Sequence, residues 1–446
     1  MPLRSYGDRM KTRRWKCALS VVATLLVATF AAQAQLAVPA LPLPGAPLPL
    51  PSPLLRDVSE AMQLPALSSV RLRAQALQRR YPDTVERDPR GAPVVRSVIL
   101  ALSPSDAALQ QAVASGFQIQ SDQILQPLGE RMVTLLAPRG VSTRRALQQL
   151  RTADPAGNYD FDHLFTESAP TQVLPPSVAI APSPMPDAVA IRVGLVDGGV
   201  DRDHPVFATQ PPHQSGCDGH SKPSTHGTAV ASLFVARSSG FNGGAPGAQL
   251  FAVDIYCDTS GPGGRVSDIV QALAALVAAQ VRVINLSVVG PDNAILAAMV
   301  RKVLERSIVI VAASGNDGPN AAPLYPAAYA GVIAVAAVDA HQKVLMEAGA
   351  GDHVRFAAPG ADMLAAVPGG GFENVRGTSY ASPLVAGLLA GLMARESAVT
   401  TERVVQELAT TATDCGKRGR DRRCGYGLVG EQLRVAPASL AGRATR

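Results

Sequence analysis

An aspartate, a histidine, an asparagine and a serine stand far apart in this chain, each where a side chain can be presented rather than packed. Asp197 closes an apolar run at residues 191–196 and is followed at once by Gly198 and Gly199, which let the chain turn. His226 opens "HGTAVASLFVA", where Gly227 permits close approach and a helical apolar pattern follows. A helix N-terminus discourages an imidazolium, so a histidine there needs a carboxylate partner to act as a base near neutral pH, and Asp197 is a candidate. Asn316, in "AASGNDGPN", offers an amide N–H to an oxygen that turns negative in a transition state. Ser379, in "RGTSYASPLVAG", is a nucleophile only if a base takes its proton; its own backbone N–H, near a helix start, is a second oxyanion donor. Taken singly, each has a structural explanation: a turn, a packed ring, a helix cap. Taken together they are the parts of acyl transfer, namely a carboxylate to orient, an imidazole to move the proton, a hydroxyl to attack and an amide to hold the oxyanion.

Elements able to position such a set are legible around them. Short apolar, β-branched runs at residues 191–196, 249–256, 281–287, 307–314 and 331–338 alternate with helical stretches such as "VSDIVQALAALVAA" and "NAILAAMVRKVLER". Strands that are apolar on both faces, joined by helical crossovers, predict an α/β fold with a mainly parallel sheet and helices on both faces. Active sites of such sheets gather at the carboxyl ends of the strands, where Asp197 and Asn316 fall. The helix after Ser379 is expected to start near Ser382, with Ser382 or Thr378 as its cap, leaving Ser379 free to face a cleft. Upstream, residues 94–166 read as β-α-β-β-α-β, a small α+β split βαβ unit. A proline-marked linker follows, and a boundary is expected near residue 186.

With these residues in view, the chain resembles the subtilisin-like serine proteases, the subtilases. "VGLVDGGV", "HGTAVAS", "GGAPGAQLFAVDIY", "VINLSVVGP", "VAASGNDGP", "YPAAYAGVIAVAAVD" and "GTSYASPLVAGLLAGL" follow the family's order over nearly all of residues 190–395. The resemblance implies Asp197, His226 and Ser379 as a catalytic triad with Asn316 as oxyanion donor. It also implies that Ser287, Val288, Val289 and Gly290, with Gly315, line a cleft that takes an extended substrate by strand addition. By the same resemblance the βαβ unit is a propeptide, an intramolecular chaperone and inhibitor that the enzyme cuts from itself. The chain departs from the family's pattern at Gly198, Ala229, Tyr380 and Leu384, none of which removes a catalytic atom. Relatives often bind calcium; here no clear carboxylate cluster is readable, so no cofactor and no metal ligand is assigned and calcium stays open.

Charge and composition narrow the partners. The net charge is +6, but residues 1–34 hold 6 Lys+Arg against 1 acidic residue, while residues 186–446 hold 22 of each, so the main body is neutral and a nucleic-acid partner loses its electrostatic footing. The basic start precedes an uncharged apolar stretch and "AAQAQ", read as a secretory signal with its cut expected after Ala34, the rival being an uncleaved anchor for which the run is short. Cys17 leaves with it. Cys415 and Cys424 are the local disulfide pair, which leaves Cys217 with Cys257, as an oxidising compartment favours. The expected organisation is a signal peptide (1–34), a proline-rich spacer (35–55), a propeptide with its linker (56–185) and a catalytic domain (187–446). The expected activity is that of a secreted serine endopeptidase, periplasmic or extracellular, made as a self-processing zymogen that acts on protein or peptide substrates and on its own propeptide. The alternative is a latent or inactive subtilase-like binding protein held by that propeptide. An esterase is disfavoured, because no G-x-S-x-G elbow surrounds Ser379.

Overall fold

The computed structural model describes residues 67–167, 186–257, 263–396, 400–416 and 418–437. The expected signal, the spacer and residues 168–185 of the linker lie outside them. The N-terminal elements are α1 (Leu67–Arg80), β1 (Val85–Arg87), β2 (Pro93–Leu102), α2 (Asp106–Ala114), β3 (Gln118–Leu125), β4 (Glu130–Leu136), α3 (Thr143–Ala153) and β5 (Asn158–Glu167). Then come β6 (Arg192–Asp197), β7 (His213–Gly216), α4 (Thr225–Val235), β8 (Gln249–Asp254), β9 (Gly264–Arg265), α5 (Val266–Ala278), β10 (Val283–Leu286), β11 (Val288–Val289) and α6 (Ala294–Leu304). The chain continues through β12 (Val309–Ala313), β13 (Ile333–Val338), β14 (Val354–Pro359), β15 (Met363–Val367), β16 (Gly371–Val375), α7 (Thr378–Arg395) and α8 (Thr401–Thr410).

Seven strands form the central sheet in the order β14-β13-β12-β10-β6-β8-β7, every neighbouring pair parallel. Alternation along each strand sorts the core into two layers. Val193, Leu195, Val309 and Val311 pack with α4 and α7 on one face, while Val196, Ile284, Ile310 and Ala312 pack with α5 and α6 on the other. Both faces are therefore dry, which explains why these strands read as unbroken apolar runs rather than as alternating ones. Side chains such as Leu195 and Ile310, fully buried, each contribute about 1.5–3 kcal/mol by leaving water.

The N-terminal elements have their own small core of Ile99, Leu109, Phe117, Leu135, Leu147 and Phe161 beneath α2 and α3. The other face of their sheet places Leu100, Leu125 and Met132 in the same apolar cluster as Ile269 and Leu273 of α5 and Met299 of α6. Their sheet runs on into the main body, because β5 pairs antiparallel with β9 and β11. The described residues accordingly fall within one compact unit. Disulfides join Cys217 to Cys257 and Cys415 to Cys424. Among the described residues, no helix is long and apolar enough to cross a membrane.

Candidate active site

Asp197 is the last residue of β6, and its buried carboxylate meets His226 at the start of α4: Nδ1 of the imidazole lies 2.8 Å from Asp197 Oδ1. The same oxygen accepts the Gly198 amide at 2.6 Å, which fixes its direction. The hydroxyl of Ser224 caps α4 by accepting the Gly227 N–H at 2.9 Å. A Cβ on Gly227 would lie 2.3 Å from the Gly198 carbonyl oxygen, so only glycine lets the helix start come this close to the aspartate turn. His226 Nε2 is buried without a hydrogen-bond partner, so this edge of the ring is available for a proton transfer.

Ser379 lies in the first turn of α7, earlier than the sequence pattern suggests. The helix starts at Thr378, with Gly377 at the N-cap and no side-chain cap, so neither Thr378 nor Ser382 plays the capping part expected of it. Pro383 hides the start: it sits inside the helix and has no N–H to give the carbonyl of Ser379 four residues back. The hydroxyl of Ser287 supplies the missing donor, bonding the Ser379 carbonyl at 3.0 Å, and is itself held by the Asn285 amide at 2.8 Å. The Ser379 hydroxyl lies 3.4 Å from the Ser287 carbonyl. Ser287 thus supports the serine's backbone from within, its side chain fully buried.

Asn316 stands in the loop after β12. Its Oδ1 accepts the Thr378 amide at 3.1 Å, which orients the side chain, and its Nδ2 is left buried without a partner. Gly315 adjoins it, bonding Thr378 Oγ1 through its own N–H at 3.2 Å. A donor held in place by the amide of the residue before Ser379, with nothing to donate to, is what a developing oxyanion requires.

The cleft is occupied by the chain itself. Glu167 pairs with Val288 and Thr166 with Val289 in an antiparallel ladder, while Phe165 and Leu164 pair with Gly264 and Arg265 on the other side. Val288, Val289 and Gly290 therefore stand where the sequence put a peptide-binding edge. The ring of Phe165, fully buried, covers Gly290, where a Cβ would lie 2.6 Å from the ring. Two more acids on β5 reach the main body. Asp160 Oδ2 accepts the Ala294 amide at 2.7 Å at the start of α6, and Asp162 accepts the Ser267 amide and hydroxyl at 3.0 and 2.9 Å at the start of α5. Carboxylates at helix N-termini gain from the backbone dipoles, by up to about 2 kcal/mol when partly buried.

Glu167, which sequence reasoning did not single out, joins the candidate site. Its carboxylate, that of Asp197 and the His226 ring offer atoms all within 4.8 Å of one another. Burial disfavours the imidazolium, but Asp197 and then Glu167 outweigh it and bring the His226 pKa up to about 9. Glu167 is itself pushed up, first by burial and also by the Asp197 charge, with His226 opposing. Two carboxylates and an imidazole are a poor set for calcium, which takes six to eight oxygens, so the cluster fits proton chemistry instead.

The subtilase family profile (peptidase S8) matches residues 189–427. The chain is 30% identical over 293 residues to subtilisin E of Bacillus subtilis (strain 168), a match covering 61% of this chain and 74% of that protein. It is 31% identical over 255 residues to the minor extracellular protease Epr of the same organism, covering 56% of this chain but 39% of Epr. Fervidolysin from Fervidobacterium pennivorans, a keratinolytic enzyme related to subtilisin, shares the fold with a TM-score of 0.65 at 21% identity, over 78% of this chain and 62% of its own. On the extent of the profile match and the identity to subtilisin E, the chain belongs to the subtilase family of serine endopeptidases.

Proposed function

We propose that the chain is a secreted endopeptidase in its latent form, with Ser379 as nucleophile, His226 as the base and then the acid, Asp197 as the group that orients the imidazole, and Asn316 with the Ser379 amide as the oxyanion donors. The observation that carries this reading is the unpartnered Asn316 Nδ2, held by Thr378 beside Ser379. In the reaction, the Ser379 hydroxyl attacks the peptide carbonyl as Nε2 of His226 takes its proton. The imidazolium, stabilised by Asp197, then protonates the leaving amine, and water repeats the sequence on the acyl-enzyme. Asn316→Ala is expected to lower kcat by about 100 to 1,000-fold with KM little changed, measured on a chromogenic peptide. An unchanged kcat would remove Asn316 from the mechanism.

Residues 67–167 serve, on this reading, as the propeptide. The seating of β5 between β9 and β11 supports it, since a peptide lying there would be a substrate cut at the strand's end. Glu167 adds a negative charge beside His226 that, after the larger effect of Asp197, raises the imidazole's pKa while the strand is seated. Release of the strand removes that charge, leaves Asp197 beside the imidazole and opens the cleft to substrate.

Docking of this unit should depend on pH. Burial pushes Asp162 up to about 6 from its ordinary 3.8, against the bonds from Ser267 that favour the anion, and Glu167 is raised too. A carboxyl that holds its proton more tightly when docked favours docking at low pH. The advantage is lost as pH rises from about 4 to about 6, and the full penalty is present above that. Inhibition of the processed enzyme by its N-terminal unit should therefore be about 10-fold tighter at pH 5 than at pH 7.5, and Asp162→Asn should flatten the difference. Equal inhibition constants at the two pH values would contradict this.

A further inference from the structure

The neutrality of the main body conceals one concentration of charge. Residues 417–423 read "KRGRDRR", so the stretch between Cys415 and Cys424 holds five of the 22 basic residues of residues 186–446 against one of the 22 acids. What remains, 17 basic and 21 acidic residues, is net negative. Arg418, Arg420, Arg422 and Arg423 are all exposed. Like charges repel, and a loop of this composition left free would spread. Here it is held: the Cys415–Cys424 disulfide closes it, and Asp421 turns its carboxylate onto the loop's own backbone, accepting the Arg423 and Cys424 amides at 2.7 and 2.8 Å. Arg418 has no hydrogen bond or ion pair among the described residues, and Arg422 has a loose one, 3.4 Å from Asp352 Oδ1 with both side chains mostly exposed.

The loop is built onto a segment that walls the candidate active site. Arg420 and Arg423 donate to the carbonyls of Asp352 and Leu345 at 2.7 and 3.1 Å, and the Gly351 N–H donates to the Arg422 carbonyl at 2.8 Å. The same segment, residues 345–352, bonds the loop that carries Asn316. The Gly318 N–H donates to the Glu347 carbonyl and the Gly349 N–H to the Gly315 carbonyl, each at 2.8 Å. Glu347 also pairs through both carboxylate oxygens with Arg376, three positions before Ser379, at 2.7 and 3.0 Å. One short segment thus joins the arginines to the oxyanion loop. The arginines are exposed with the N-terminal unit seated, and its release can only uncover more of them.

Guanidinium forks match carboxylates two bonds at a time, and a set of them held in one small loop suits a run of acids. The chain offers no such run from its own ends or linker: residues 1–66 hold three acids and residues 168–185 none. The occupant therefore comes from outside. A polypeptide lying in the cleft reaches the arginines with the same chain that is being cut, whereas a nucleic acid or a lipid surface gains nothing from the nearness of the oxyanion loop. We propose that the disulfide-closed loop 415–424 is an exosite that holds an acidic segment of protein substrates away from the bond to be cut. The proposal rests on the protease reading above and adds to it a substrate class, proteins with a run of Asp or Glu outside the cleft. Exposed ion pairs are weak singly and screened by salt, so the loop acts through several arginines together, raising the effective concentration of the scissile bond at Ser379.

The test uses full-length protein matured by its own cut, or by a site-specific protease whose recognition sequence is inserted within residues 168–185; trypsin is avoided because it would cut the arginine loop. Long peptides share one scissile sequence and carry a run of glutamate, glutamine or lysine, placed roughly 5 to 15 residues to either side of it, a reach of about 17 to 50 Å when extended. A short peptide without a run reports turnover throughout. The ratio of kcat/KM between runs is read at about 20 mM and about 500 mM salt, where screening lengths are about 20 and about 4 Å. For at least one placement, glutamate should exceed glutamine by about 5 to 30-fold at low salt, chiefly through KM, and by less than about 2-fold at high salt. Arg418→Glu combined with Arg422→Glu should turn the preference toward lysine, which a merely structural role for the loop would not do. Equal cleavage of glutamate and glutamine peptides at every placement overturns the proposal and leaves the protease reading standing, because the short peptide is still cut. A glutamate preference that survives the charge reversal overturns it as well. So does binding of a polyanion such as heparin to the loop with no glutamate preference in cleavage, which assigns the arginines to another anionic partner. No cleavage of any peptide, the short one included, sinks the protease reading, and this inference with it.

Discussion

Ser379→Ala is expected to leave the full-length chain uncut and to lower kcat on a short peptide by about 10⁶-fold, the size established for the nucleophile of subtilisin-type triads. The reasoning is local. The Ser379 carbonyl is held by Ser287 and its backbone by the first turn of α7, so removing one oxygen leaves the surrounding contacts in place. The variant should therefore fold and keep its N-terminal unit, and should bind peptide in the cleft once that unit has been cut away by another protease. Full processing of a purified Ser379→Ala sample, free of other proteases, would mean that the cut comes from another group or another enzyme.

Asp197→Asn should be next in size, at about 10⁴-fold in kcat with little change in KM. Asp197 Oδ1 accepts from both the His226 ring and the Gly198 amide. An asparagine keeps the shape but can present an N–H to Nδ1. The imidazole then carries its proton on Nε2, the edge that has to receive the serine's proton. The carboxylate charge that raises the His226 pKa is lost as well, so the pKa should fall from about 9 in the latent chain, and an NMR titration of the ring reads that shift. Since Asp197→Asn cannot mature itself efficiently, trace wild-type enzyme would supply the cut. A kcat within 10-fold of wild type would show that Asp197 does not orient the base.

The contrast between what the sequence reveals and what it hides follows the range of each interaction. The strands of the central sheet are visible because each is apolar on both faces, and Asp197, His226, Asn316 and Ser379 are visible because each interrupts a regular element with a residue type that chemistry needs. The two-residue strands β9 and β11 are too short to show any period, so the sequence points to a cleft edge at Val288 and Val289 without showing what lies on it. Glu167 carries no local mark: it is one acid at the end of an apolar strand, and its effect depends on folding beside His226. Asp160 and Asp162 could have been read from their i, i+2 spacing, which turns both carboxylates to one face of β5. The sequence pattern puts the start of α7 four residues late because Pro383 looks like a first-turn proline, while the hydroxyl that compensates for it belongs to Ser287, 92 positions away.

The most direct measurement is the intact mass of processed protein after reaction with a fluorophosphonate, followed by peptide mapping. An activated serine forms one phosphonyl adduct with loss of fluoride, which an ordinary hydroxyl does not. The account predicts a single adduct on the peptide containing Ser379 once residues 67–167 have been released, and none while β5 still occupies the cleft. A processed, folded protein that takes up no label, or takes it up at another serine, would contradict the assignment of Ser379 as the nucleophile.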